Sequence, residues 1–251
     1  MTPEPILELR DAVVAYNGTT ALAGVSLRVD AGACVALIGS NGAGKTTLLT
    51  VVNGFTRLSA GVVRVLGMTP GGMDTTRIRR RVGYVAQTQA VDARMPITLI
   101  ESVMTGVYGR LGWRRKPSQH DHAHVHSILD SLRLLHLAER PLGHLSGGET
   151  RRAMIARCLA QKPDMMLLDE PTASLDDASC DIIMDIMEQV HQKAQTTLLW
   201  VTHDLDALPP CCTRTVRMHN GVIAQDTSHA PGAGHTEMAA AKHNESGIAH
   251  G

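Results

Sequence analysis

Aromatic side chains are nearly absent from this chain: one Phe, two Trp and three Tyr make up 2% of its 251 residues. A core built without them must be aliphatic, with the twelve methionines filling irregular gaps. Net charge is absent as well. Lys and Arg number 24 and Asp and Glu number 24, so no overall basic field marks the chain as a nucleic-acid binder. No apolar run approaches the ~18 residues that a membrane-spanning helix needs. The opening Met1-Thr2-Pro3-Glu4-Pro5 lacks the basic-then-apolar order of a signal peptide, so a cytosolic chain is expected. The five cysteines form no CxxC pair and include the adjacent Cys211-Cys212. That usage predicts reduced thiols rather than a disulfide framework or a cysteine zinc site.

What the chain does have is strand-like and helix-like segments in alternation. Residues 6–14, 25–29, 34–38, 61–67, 82–87, 165–170 and 197–202 read as strands, with a turn at Asn17-Gly18 and a closing hairpin over 213–225 through Asn220-Gly221. Residues 46–52, 98–107, 124–137, 149–160 and 176–190 carry helical spacing. Such alternation predicts an α/β core. We expect 1–87 with 162–225 to form that core, including an N-terminal β subdomain. Residues 88–161 should form a helical subdomain, and 226–251, rich in Gly, Ala, His and Ser, a mobile tail.

The most informative stretch is Gly39-Ser40-Asn41-Gly42-Ala43-Gly44-Lys45-Thr46, a complete GxxxxGK[ST] loop between a predicted strand and a predicted helix. Its glycines let the backbone curl so that several N–H groups face one anion, and the helix N-terminus adds partial positive charge. Lys45 would reach the β- and γ-phosphates, and the Thr46 hydroxyl would hold Mg²⁺. Farther on, Met165-Met166-Leu167-Leu168 leads into Asp169 and Glu170. Strand alternation would send these carboxylates to opposite faces, Asp169 toward a metal and Glu170 toward an attacking water. Gln87, Leu145-Ser146-Gly147-Gly148-Glu149, Asp176 and His203 each have an ordinary reading alone: polar surface, helix cap or structural histidine.

Together and in this order they resemble the ATP-binding cassette ATPases, over about residues 7–224. The resemblance implies a P-loop, RecA-like core with an antiparallel β subdomain and an inserted α-helical subdomain. It implies ATP hydrolysis, with ATP and Mg²⁺ as cofactors. Gly39, Ser40, Asn41, Gly42, Ala43, Gly44, Lys45, Thr46 and Thr47 match the Walker A loop, and Tyr16 the aromatic that stacks on adenine. Gln87 matches the glutamine that senses Mg²⁺ and the membrane partner, Asp169 the metal-side acid, Glu170 the catalytic acid and His203 the switch histidine. Ser146, Gly147 and Gly148 match the signature that binds the γ-phosphate of a second copy, and Asp176 the loop that crosses between copies. The signature ends in Glu149 where the family usually has Gln, and an acid there repels a γ-phosphate unless it points away.

A lone cassette without membrane helices resembles the separate ATPase subunits of bacterial transporters. Two segments narrow the resemblance: Val91-Asp92-Ala93-Arg94-Met95-Pro96-Ile97-Thr98, and Gly106-Val107-Tyr108-Gly109-Arg110-Leu111-Gly112-Trp113. They are similar to the subfamily that imports manganese, zinc or iron ions. The implied partners are a second copy, a membrane permease and a periplasmic or surface metal-binding protein, with the cassette peripheral on the cytoplasmic face of the inner membrane. No nucleic-acid partner is expected. Other cargo remains an alternative, as does a nucleic-acid-linked ATPase, although the stretch from Lys45 to Ser146 lacks sustained heptads. His120, His122, His124 and His126 read first as a solvated helix face and second as metal-binding i,i+4 pairs; His229, His235, His243 and His250 lie farther on.

Overall fold

The computed structural model describes residues 4–16, 18–87, 92, 94–112, 114–204 and 208–229. Strands β1 (Leu7–Tyr16), β2 (Thr19–Val29) and β4 (Ala60–Val65) form an antiparallel sheet in the order β2-β1-β4. The six-stranded sheet runs β5 (Val82–Val85), β6 (Met165–Asp169), β7 (Thr197–Thr202), β3 (Cys34–Ile38), β8 (Arg214–His219) and β9 (Val222–Ser228). It is parallel from β5 to β8, and β9 returns antiparallel. The helices are α1 (Lys45–Val52), α2 (Gly72–Arg81), α3 (Leu99–Leu111), α4 (Gln119–Ser131), α5 (Gly147–Ala160) and α6 (Asp177–Ala194).

Strands β3, β6 and β7 are wholly buried, which is why they are apolar without alternation. Their pleat still divides them between two cores. Cys34, Ala36, Met166, Leu168, Leu198 and Trp200 join α3 to α6 in one. Val35, Leu37, Met165, Leu167, Leu199 and Val201 join α1 and the antiparallel sheet in the other. The register aligns Ile38 with Thr202 and Asp169 with Val201, so β3, β6 and β7 end at one edge of the sheet.

Several boundaries differ from the sequence expectation. Helix α2 was not anticipated: Ile78 is its one buried residue and Gly71 gives it no side-chain cap, so it shows no apolar stripe. Helix α4 begins at Gln119 rather than 124, because Ser118 and Asp121 form a reciprocal capping box. It stops at Ser131, and Leu135–Leu137 is a separate 3₁₀ turn. Strand β9 runs to Ser228, into the segment expected to be tail. Arg214 grips Asp226 with a 2.6 Å contact, and His229 N–H bonds Thr213 O at 2.8 Å. Strand β6 ends at Asp169, so Glu170 lies beyond it, at φ 51°.

Because Leu199 is fully buried at the centre of the sheet, Leu199→Ala should destabilise the fold by about 2–5 kcal/mol. Urea denaturation tests this, and a loss under about 1 kcal/mol would contradict the packing described.

Candidate functional site

The edge where β3, β6 and β7 end collects the chemistry. Past β3, residues Gly39 to Thr46 wrap into the head of α1. Ser40, Asn41 and Gly42 form an exposed crest, while Ala43 is buried and its carbonyl accepts from Gly221 N–H at 3.1 Å. Gly44 sits at φ 101°, and a Cβ there would come within 2.5 Å of Ala21 O, so no other residue fits. Gly44 offers no side-chain cap and the first turn of α1 holds no acid. The N–H groups at the head of α1 are therefore left for an incoming anion. Lys45 is buried and its ammonium donates to Gly39 O at 2.7 Å and Ser40 O at 3.0 Å, within the concave side of the loop. Burial pulls its pKa down, and the negative charges of Glu170 and Asp169 oppose that pull.

Thr46 Oγ1 donates to Asp169 Oδ2 at 2.9 Å. Asp169 is 1% exposed, burial pushes its carboxyl up, and its Oδ1 is buried without a hydrogen-bond partner among the described residues. A hydroxyl beside a carboxylate with an unused buried oxygen is a donor set of hard oxygens, and it fits Mg²⁺. Glu170 follows in a left-handed turn. Strand alternation is therefore not what separates the two acids, contrary to the sequence expectation; the turn at the strand end does so. Glu170 is 4% exposed, and both its carboxylate oxygens lie 2.8 Å from His203 Nδ1, at the end of β7.

Tyr16 closes β1, half exposed, with its hydroxyl 3.1 Å from Thr56 Oγ1. Thr56 bonds Thr50 Oγ1 at 2.9 Å, and Thr50 donates to Thr47 O at 2.8 Å. That chain ties the ring to Thr47, the third residue of α1, beside the phosphate loop.

A second anion-binding element heads α5. Ser146 is its N-cap, and Ser146 and Gly147 are exposed. Glu149 turns back, its Oε2 accepting Ser146 N–H at 2.7 Å, and that bond holds its pKa down. The acid that departs from the usual glutamine thus points into the cap. A Cβ on Gly148 would lie 2.8 Å from Ser179 Oγ, so the head of α5 packs against the head of α6. There Asp176 caps α6, its Oδ1 accepting Ser179 N–H at 2.9 Å.

The structure also reveals two residues that the sequence reading passed over. Arg151 of α5 donates to Ala86 O at 2.7 Å and to Gln87 O, tying the signature helix to the glutamine after β5. Burial lowers its pKa while the charges of Asp169 and Glu170 raise it. Arg152 reaches Ser179 Oγ and so joins α5 to α6. Each arginine follows a recognisable motif, but only the fold shows which carbonyl or hydroxyl it meets. His120, His122 and His126 of α4 are exposed, and His124 Nε2 is buried. No group of three or more His, Cys, Asp or Glu side chains among the described residues is placed to hold a metal ion. Val91, Ala93, Trp113 and the later tail histidines, His235, His243 and His250, lie outside the described residues.

A phosphate loop, a metal-side acid, a second acid paired with histidine and a separate helix-head anion site define an ATP-hydrolysing cassette on a P-loop fold. The chain belongs to the ABC transporter family, whose model matches residues 22–173. Among curated relatives, the zinc transport ATP-binding protein TroB of Treponema pallidum is 34% identical, over 87% of this chain and 80% of that one. The manganese transport ATP-binding protein MntA of Synechocystis is 33% identical, over 85% and 81%. The energy-coupling factor transporter ATP-binding protein EcfA2 of Methanospirillum hungatei is 37% identical, over 89% of this chain and 56% of its own length. A dimeric ATP-binding cassette solved in a post-hydrolysis state with ADP and phosphate superposes with a TM-score of 0.81. It covers 89% of this chain and 99% of its own at 24% identity, a likeness of fold. The protein is an ATPase subunit of a transporter. No helix among the described residues is long and apolar enough to cross a membrane.

Arg151 meets two carbonyls through separate nitrogens of one planar guanidinium, a spacing and length that a lysine's single ammonium does not reproduce. Arg151→Lys should reduce ATP hydrolysis about tenfold or more through misplacement of Gln87, with ATP affinity nearly unchanged. Steady-state turnover beside fluorescent-nucleotide titration checks this; unchanged turnover would remove the role.

Proposed function

We propose that two copies of this chain, head to tail, bury ATP between the phosphate loop of one and Ser146, Gly147 and Gly148 of the other, and drive import of a transition-metal ion through a separate permease. The observation that carries the dimer is the placement of α5. Its exposed head packs beside α6 and presents an anion site whose neighbours are Asp176 and Ser179, not the chain's own Lys45. A γ-phosphate would need both sites to be neutralised on both sides.

Within one such site, Lys45 and the α1 head neutralise the phosphates, and Thr46 and Asp169 hold Mg²⁺, which when bound spreads the charge of the β- and γ-phosphoryl oxygens. Glu170 accepts the proton of the attacking water. His203 orients Glu170 and contacts the γ-phosphate. Tyr16 stacks on the base, and Gln87 links Mg²⁺ to the permease through the segment that Arg151 anchors. Asp176 faces the second copy. The cassette lies on the cytoplasmic face of the plasma membrane. Zinc or manganese is the proposed cargo, with iron third. The support is the pair of segments around 91–98 and 106–113 together with the zinc and manganese names of two relatives. The relative named for the energy-coupling factor keeps another cargo as the competing reading. A binding protein outside the membrane completes the proposed importer.

Glu170→Gln should lower hydrolysis by about 10²–10⁴-fold, keep ATP binding and trap a dimer seen by size-exclusion chromatography with ATP and Mg²⁺. Lys45→Ala should instead weaken ATP binding itself. A monomeric Glu170→Gln with normal turnover would overturn the mechanism. Cellular uptake of radioactive zinc and manganese, measured with and without the chain and its permease, tests the cargo; loss of neither flux would overturn it.

A further inference from the structure

Three buried thiols meet at the start of β3, the strand whose far end leads into the phosphate loop. Cys34 opens β3 and is fully buried, while Cys211 is 8% and Cys212 4% exposed. Cys211 Sγ lies 3.5 Å from Cys34 Sγ. The segment is anchored on every side: Cys212 N–H bonds Pro209 O at 2.9 Å, Thr213 N–H bonds Cys34 O at 3.2 Å, and Cys212 Sγ donates to Arg214 O at 3.3 Å. This segment belongs to the connection from His203 to β8, and β3 runs straight into Gly39. Nothing in ATP hydrolysis uses these sulfurs. Two of them already stand within a sulfur–sulfur contact that needs only a modest approach to reach a disulfide length of about 2.05 Å.

We propose that Cys34, Cys211 and Cys212 form a hydroperoxide-reactive modification site, in which Cys34 and Cys211 become disulfide-bonded and turnover of the cassette slows. Cys211, the most exposed of the three, is the entry point. Its sulfur takes one oxygen from a hydroperoxide; the O–O bond breaks, an alcohol or water leaves with the thiol proton, and a sulfenic acid remains. Cys34 sulfur then attacks Cys211 sulfur. The S–S bond forms, the S–O bond breaks, and water leaves with the Cys34 proton. Both thiols are oxidised by one electron each and the peroxide takes up the two. The Cys34 thiol is held protonated, first by its contact with Cys211, and Cys212 is lowered, first by its hydrogen bond with Cys34. The new bond ties the segment that enters β8 to the start of β3, and β3 passes the strain along its length to the phosphate loop at its far end. Transient disulfides of this kind are the form that thiol pairs take in reducing compartments.

The test uses the full chain treated with hydrogen peroxide or with buffer, then denatured, alkylated and mapped by mass spectrometry. A reducible peptide joining Cys34 to Cys211 is expected, with Cys158 and Cys180 still alkylated. ATP hydrolysis should fall several-fold and return with dithiothreitol. Cys211→Ala should abolish both the cross-link and the reversible loss of activity. The wild-type map needs no variant to fold. Alkylatable Cys34 after oxidation, pairing of Cys211 with Cys212 instead, or a cross-link without loss of hydrolysis would each overturn the proposal.

Discussion

Everything at this site depends on β7 lying between β3 and β6 in parallel register. The phosphate loop is distant in sequence from Asp169 and His203, with 123 positions between Thr46 and Asp169, yet they meet because Ile38, Asp169 and Thr202 end adjacent strands at one edge. Each strand is buried on both faces, and a slip of one residue would turn every side chain into the wrong core. The two cores therefore lock the register, and the register places the chemistry. Open parallel sheets put their ligands at this carboxyl edge because every strand there hands over to a turn.

The turns are also where polar groups sit closest to being unsatisfied. Gly44 leaves the head of α1 uncapped, whereas Ser146, with Glu149, caps α5 reciprocally. The contrast is informative. The phosphate loop keeps its N–H groups for an anion, and Lys45 bends back to its own carbonyls. The α5 head is partly satisfied from within, by a charged carboxylate on Ser146 N–H. The Ser146 hydroxyl and the glycine N–H groups stand there beside an acid already spent on a backbone bond. The departure from glutamine thus changes the charge near the site while leaving the helix geometry intact.

Legibility in the sequence followed the physics of each signal. The phosphate loop was readable because glycine, lysine and threonine spacing is itself the mechanism. The buried strands β3 and β7 were readable to the residue, since a short apolar run between breakers leaves few alternatives. Helix α2 was not, because a helix that buries only Ile78 has no stripe to read. Helix α4 was misplaced because its start is set by Ser118 and Asp121, and the histidines after them have no apolar period. Asp169 and Glu170 were found but their separation was misjudged, since a left-handed turn at Glu170 leaves no trace in residue type. Arg151 was out of reach for a different reason: its partners are backbone carbonyls some 65 positions away, and carbonyls carry no sequence.

Arg151 is also what makes the two halves of the cassette one device. Its guanidinium is held on α5, two residues beyond the signature, and grips the backbone that leads from β5 out of the core. It also feels the negative charge of Asp169 and Glu170. The planar fork bonds two consecutive carbonyls and resists rotation about either, so the position of α5 and that of the backbone at Ala86 and Gln87 are set together. Arg152 adds the reverse link, from the same helix to Ser179 and the cap at Asp176. The neighbouring arginines thus hold α5 from two directions, one toward the backbone after β5 and one toward α6. A helix held at both contacts has little freedom to shift without moving the backbone at Gln87 or the cap at Asp176.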